Sequence, residues 1–293
     1  MRALASAVLV LCLSLTGAHA AGSWRILKDH WSEADEQGFG RFVSAIGASN
    51  CSSSESCLRD PANPFRATDQ RFLDIDVDCA KWPYLLRAYY AWKNSLPFSF
   101  VDAVSGSGGD LRFTKTANRA VSRHDLIDHS RGIDGSSAIR DVIGTVFSGT
   151  YRTDASEHRG VLSDFYSPAL QPGTIRPGSV VYDVNGHVGI VYKVDADGRI
   201  YYMDAHPDFT ITRSVYGAQF GQSPLRLGGG LKNWRPFKLV GAHKDSAGHL
   251  LGGHMAFAEN DQIADFSLVQ YVGTEANPKQ DVTSAILGMR NAG

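Results

Sequence analysis

Apolar residues at Trp82, Leu85, Leu86, Tyr89 and Trp92 recur at helical spacing and predict one helix with a single apolar stripe. Asp78 suits its N-cap, which puts Cys79 on the first turn, and Pro83 falls early enough to be tolerated. The helix is expected to end near 94–97. An earlier amphipathic helix is expected from Ser32 and Asp35, with Phe39, Phe42, Val43 and Ile46 on its face and Gly47 as its stop. Another is expected to start at Ser136 or Ser137, turning Ile139, Val142, Ile143, Val146 and Phe147 inward. From Pro177 the period becomes that of strands. Residues 179–183, 187–194 and 199–206 read as an antiparallel meander, joined by a hairpin turn at Asn185-Gly186 and a second turn over 195–198. Pro207 stops the last strand.

Between these elements the reading is of loops. Residues 48–70 are rich in Ser, Asp, Asn and Pro, 151–177 look irregular, and Gly228 to Pro236 read as a loop closing the sheet, with Trp234 either lining a cleft or in a half-buried packing role. The tail from 241 carries Phe257, Ile263, Phe266, Leu268 and Val269, enough to dock on a core, and a short helix is expected over 282–289.

Composition changes this picture mainly at the start of the chain. Residues 1–20 combine a basic residue, an apolar run and an Ala-His-Ala end, the pattern of a cleaved secretory signal. Cys12 belongs to that run, and Leu9-Val10-Leu11 before it lacks the small residues of a lipidation site. An exported product without a membrane anchor is therefore expected, since no other stretch is long and apolar enough to span a bilayer. The 293 residues carry a formal charge of −1, which becomes −2 once Arg2 leaves with the signal. Without a basic field, nucleic acid is not expected as a partner.

Three cysteines remain. In an oxidising compartment Cys51 and Cys57 are expected to close a short disulfide loop, leaving Cys79 unpaired. A thiol at a helix start faces the positive end of the helix dipole and unpaired N–H groups, and both favour the thiolate. His187 opens a strand just after a tight turn, where a side chain can project from a sheet rim. Other chemistry is weaker. Residues 105–110 are Gly- and Ser-rich but lack the Gly-Lys-Ser/Thr ending of a phosphate loop. Asp204, His206 and Asp208 are interrupted by Pro207, and His243, His249 and His254 have no metal-ligand spacing. No cofactor is expected. His124, His129 and His158 read as solvated side chains.

In chain order, Asp78-Cys79 at a helix start, Pro177-Gly178-Ser179-Val180-Val181-Tyr182, His187-Val188-Gly189-Ile190-Val191-Tyr192 and Tyr202-Met203-Asp204-Ala205 resemble the NlpC-type cell-wall peptidases, papain-like cysteine enzymes of bacteria. The resemblance covers roughly 74–206, and its most specific part is the His-Val-Gly-Ile segment. It implies an α+β papain-like fold, with the cysteine on a helix start packed against an antiparallel sheet that carries the histidine. It also implies Cys79 as nucleophile, His187 as base and Asp204 as the residue orienting the histidine; His206, on the same strand face, is the alternative third member. The implied activity is hydrolysis of an amide bond in the peptide stems of peptidoglycan, outside the cell or in the periplasm, and the resemblance leaves the substrate-binding residues unassigned.

Two departures stand out. Ala80-Lys81 replace the Ser-Gly that the family has after its cysteine. The separation of 108 positions from Cys79 to His187 implies an insertion around 101–176. The expected organisation is thus a signal at 1–20, a helix and disulfide loop at 21–74, a catalytic domain at 75–240 and an extension at 241–293. Two other readings share these residues: an exported wall-binding module with a relic triad, and a transglutaminase-like acyl transferase.

Overall fold

The computed structural model describes residues 22–69, 73–217, 220, 222–274 and 282. The expected signal and nearly all of the expected helix over 282–289 lie outside them.

Capping decides where the helices start. Helix α1 (Glu33–Ala48) opens on a capping box in which Ser32 accepts from the Asp35 N–H and Asp35 accepts from the Ser32 N–H. Helix α2 (Ser54–Arg59), unexpected within the loop over 48–70, is a short turn capped by Ser53 and Ser56. Helix α3 (Lys81–Lys93) begins two residues later than the stripe predicted. Asp78 first closes a tight turn, its Oδ1 accepting from the N–H groups of Ala80 and Lys81, and Cys79 sits inside that turn. Helix α4 (Gly135–Thr145) starts ahead of Ser136, because the Asp134 carboxylate accepts from the Ser137 N–H and does the capping the serines were expected to do.

The strands run β1 (Ser23–Trp24), β2 (Phe98–Ser105), β3 (Arg119–Leu126), β4 (Ile133–Asp134), β5 (Phe165–Tyr166), β6 (Val180–Asp183), β7 (His187–Val194), β8 (Ile200–Ala205), β9 (Ile211–Val215) and β10 (Gly230–Trp234). Then come β11 (Phe237–Val240), β12 (His243–Lys244), β13 (Leu250–Leu251) and β14 (His254–Phe257), and a last helical turn, α5 (Val269–Val272). The expected meander β6-β7-β8 forms the middle of a six-stranded antiparallel sheet ordered β5-β10-β6-β7-β8-β9. The segment read as a loop closing the sheet is instead strand β10, bonded to β6 on one side and β5 on the other. Its glycines hid a strand that keeps Leu231, Lys232 and Asn233 buried. The stretch read as an insertion carries the β2–β3 hairpin and α4.

The architecture is α+β, and alternation along the strands splits its core in two. Val180, Tyr182, Val188, Ile190, Met203 and Ala205 face the helix layer, where they meet Phe39, Val43, Leu85 and Tyr89. Val181, Val191, Ile200, Tyr202 and Leu231 face the other way, onto Leu170, Ile175 and Phe220. Because both faces are covered, β7 reads as a nearly continuous apolar run rather than a strict alternation.

α3 is the central helix, with every residue from Trp82 to Ala91 buried. Its one buried charge, Arg87, makes a two-pronged pair with Glu36 of α1 at 2.8 and 2.6 Å and lies over the Trp31 ring. The chain beyond β10 pairs β11 with β14 and β12 with β13, and packs Leu239, Leu250 and Met255 around Ile26 near the start of the described chain.

Cys51, just after α1, is disulfide-bonded to Cys57 on α2, six positions along the chain. The α1 end has no basic residue of its own. Arg213 of β9 supplies one, donating to the carbonyls of Gly47 and Cys51 at 2.7 and 2.9 Å. Ile211 N–H adds a bond to the Ser52 carbonyl. The disulfide loop therefore clamps the edge strand β9. Replacing both cysteines with serine should lower stability by about 2 kcal/mol in urea unfolding. Alkylation of unreduced protein followed by peptide mapping should place label on Cys79 alone; label on Cys51 or Cys57 would mean the staple is open.

Candidate active site

Cys79 is the free cysteine of the described chain, half-buried, and its surroundings are built mostly from backbone and aromatic rings. Asp78 holds the turn, and the buried Tyr151 hydroxyl donates to the Ala80 carbonyl at 2.6 Å. Behind Tyr151 the rings of Phe165 and Tyr182 stack upon it, with Tyr84 edge-on. Burial, and then the nearby Cys79, hold the Tyr151 phenol well above its ordinary range, so it stays a neutral donor. The Cys79 sulfur lies 3.8 Å from the Gly186 carbonyl.

Gly186 belongs to the hairpin turn that delivers His187. The turn closes through Gly186 N–H to the Asp183 carbonyl at 2.9 Å and Asn185 N–H to the Asp183 carboxylate. Gly186 has φ +93°, a conformation that a side chain would strain. The turn is also held from outside. Arg152, buried, donates to the Val184 carbonyl at 2.8 Å and to the Thr114 carbonyl in the β2–β3 loop. That loop rests the exposed Phe113 ring against Gly186.

Register places the third residue. β7 pairs with β8 through Ile190 opposite Met203, and continuing that pairing sets Gly189 opposite Asp204 and His187 opposite His206. His187 reaches diagonally, its Nε2 lying 2.5 Å from Asp204 Oδ2. His206 does not take that place: its Nε2 is 3.9 Å from the same oxygen and 2.8 Å from the Thr212 hydroxyl. Of the two candidates for the third position, the structure joins Asp204 to His187. Asp204 is 3% exposed, and its other oxygen, Oδ1, accepts from Thr212 at 2.8 Å.

The His187 ring is hydrogen-bonded to Asp204, and the Cys79 sulfur stands near enough to influence its proton. With Nε2 committed to the carboxylate, Nδ1 is the nitrogen left for the sulfur. The bond to Asp204, and after it the Cys79 side chain, raise the imidazole from its ordinary 6.5 to about 10, outweighing the opposing effect of burial. His187 is therefore an imidazolium at neutral pH. The group can hold an ion pair, donate a proton and take it back.

The sets considered for a metal are not assembled: Asp204 is bound to His187 and Thr212, and Asp208 turns back onto Thr210. Among the described residues no three His, Cys, Asp or Glu are placed to hold a metal ion. The remaining histidines and Trp234 lie elsewhere. His124 is exposed and stacks on Phe100, His129 and His158 are exposed, and His249 pairs with Asp245 in the C-terminal hairpin. Trp234 packs against Tyr84 and Phe165, its indole donating to the Gly178 carbonyl at 3.1 Å.

Family models, curated proteins and solved structures give no significant match to this chain. The chemistry of the site therefore has to be argued from its own geometry. Two residues important to that geometry escape sequence reading. Thr212 lies on an edge strand without a motif, and Arg152 lies in a stretch with no period. A lone arginine and threonine in polar surroundings carry no signal until the fold places them.

The raised imidazole sets a sign. The charged ring favours the folded state fully below its ordinary value, and that contribution is lost as pH rises through about 10. Titration of ¹⁵N-histidine signals should show His187 protonated well into the alkaline range. Asp204→Asn, which removes the larger cause, should bring its titration down toward the ordinary imidazole value. An unmoved titration would show that the carboxylate does not hold the proton.

Proposed function

We propose that the protein is an exported cysteine hydrolase that cleaves an amide bond through Cys79, His187 and Asp204. The observation that carries the reading is an imidazole held 2.5 Å from a buried carboxylate, on the turn whose Gly186 carbonyl lies 3.8 Å from the free thiol of the described chain. Asp204 fixes the ring and keeps it charged, and the imidazolium keeps Cys79 as thiolate. The sulfur attacks the amide carbonyl and forms a tetrahedral intermediate. Asp78 engages the N–H groups of Ala80 and Lys81, so the donor it leaves at this turn for the oxyanion is the N–H of Cys79 itself. His187 gives its proton to the leaving amine, and the acyl group stays on sulfur. The neutral ring then takes a proton from water, which attacks the thioester and releases the acid.

The sequence resemblance to NlpC-type peptidases supplies the proposed papain-like core and the substrate class, the peptide stems of peptidoglycan. It also supplies the place of action, beyond the membrane of a bacterial cell. The tyrosine-lined turn, the Arg152 clamp and the β9 support give the triad a rigid setting, which is what preorganised catalysis needs.

Digestion of purified peptidoglycan followed by mass spectrometry should release cleaved stems with the wild type and none with Cys79→Ala. His187→Ala should abolish turnover and, by leaving the buried Asp204 carboxylate without its cation, also lower the thermal unfolding temperature. Asp204→Asn should lower the rate on the order of a hundredfold or more, and His206→Ala should cost less. No cleavage, together with a Cys79 that alkylates like an ordinary thiol, would leave a wall-binding module in place of an enzyme. A greater loss in His206→Ala than in Asp204→Asn would move the third role to His206.

A further inference from the structure

Two imidazoles stand within reach of one buried carboxylate. His187 and His206 face each other across β7 and β8, their ring centroids 6.0 Å apart at 27°. Both present Nε2 toward Asp204, yet at 2.5 and 3.9 Å from Oδ2. If both competed freely, the carboxylate could turn to His206 and leave His187 with neither its charge nor its orientation.

The hydroxyl of Thr212 occupies the point where that exchange would occur. A hydroxyl has one proton to give and lone pairs to accept with. The Asp204 carboxylate can only accept, so Thr212 donates to Oδ1 at 2.8 Å. Its lone pair then accepts from His206 Nε2–H, also at 2.8 Å. Both arms are used. Oδ1 is occupied, the Nε2 of His206 is occupied, and Oδ2 is left to His187.

The support under Thr212 is as specific as its bonds. It pairs directly opposite Asp204 in the β8–β9 ladder. Its neighbours on both sides are fastened to the disulfide loop: Ile211 N–H to the Ser52 carbonyl at 2.9 Å and Arg213 to the Cys51 carbonyl at 2.9 Å. The β-branched side chain also has few rotamers to lose. The hydroxyl is held in place by the edge strand.

We propose that Thr212 is a positioning residue that ties off Oδ1 of Asp204 and Nε2 of His206, so that Oδ2 of Asp204 serves His187 alone. This rests on the reading of Cys79, His187 and Asp204 as a working triad. Thr212 touches no reacting atom; it decides which of two histidines the carboxylate serves.

The triad itself is tested first, by the iodoacetamide alkylation rate of Cys79 at mildly acid pH and by stem cleavage with the wild type and Cys79→Ala. A sluggish thiol and no cleavage overturn the triad, and this proposal with it. With the triad active, Thr212→Val removes both hydrogen bonds but keeps the β-branched shape. It should cut turnover about tenfold, mostly in kcat, and lower the pH at which ¹⁵N-labelled His187 loses its proton. Thr212→Ser, which keeps the hydroxyl, should stay near wild type. The deciding variant is Thr212→Val with His206→Phe, in which the competing imidazole is gone. It should regain part of the lost rate and return the His187 titration toward that of the wild type. A merely structural threonine predicts the reverse, because two edge-strand changes would add their losses. Thr212→Val at full activity with an unmoved His187 titration overturns the proposal. So does a double variant no better than the single one.

Discussion

The site depends on a buried negative charge that needs a partner. Asp204 is 3% exposed, in a place where a lone carboxylate would be costly. It has two ways to be satisfied: take up a proton itself, or hold a cation. The structure gives it a cation, and that choice passes outward. His187 stays protonated because Asp204 is charged, and the Cys79 sulfur lies beside an imidazolium because His187 is protonated. Reversing the first step would leave the sulfur next to a neutral ring.

Around that pair the scaffold restricts motion from three directions. α3 is buried along almost its whole length, so the turn at its start cannot move without disturbing the core. Arg152 ties the hairpin turn to the β2–β3 loop through carbonyls on both sides, a use of guanidinium that depends on its several donors. The disulfide loop fixes β9, and through it the face of Asp204 away from His187. Each of the three restraints reaches a different member of the group.

Much of this was legible in the chain. The helix stripe, the hairpin at Asn185-Gly186, strand β7 and the pairing of Cys51 with Cys57 follow local rules: period, turn chemistry and cysteine spacing. What was not legible is non-local or unpatterned. β10 read as a loop because three successive glycines argue against a strand, while its partners β5 and β6 lie far away in sequence. The β2–β3 hairpin was missed because its outer half is polar and carries irregular pairing between Val101 and Val104. For the site, residue type and order singled out Cys79, His187 and Asp204. Register could not be read for Asp204 and His206, which share a strand face; motif position and carboxylate charge favoured Asp204, and the arrangement turns on register and on a threonine hydroxyl from a third strand. Cys79 entering from a turn rather than the helix proper was hidden for a similar reason, since Asp78 bonds differently as a turn former than as a simple cap.

The two partners of His187 also separate in time along the proposed reaction. At rest both Asp204 and the Cys79 sulfur raise the affinity of the ring for its proton. Such a ring is a firm counter-ion but a poor base, and the second half of the reaction needs a base. Acylation removes the difficulty, because a sulfur bound to an acyl carbon is neutral and no longer stabilises the imidazolium. From then on Asp204 alone holds the ring up, and the histidine that has just protonated the amine binds protons less tightly when water must be activated. A carboxylate in the third position keeps the ring oriented through both halves, and the sulfur changes its basicity between them. Asp204 therefore has to be stationary where Cys79 changes, and this is what β8, β9 and the hydroxyl of Thr212 provide.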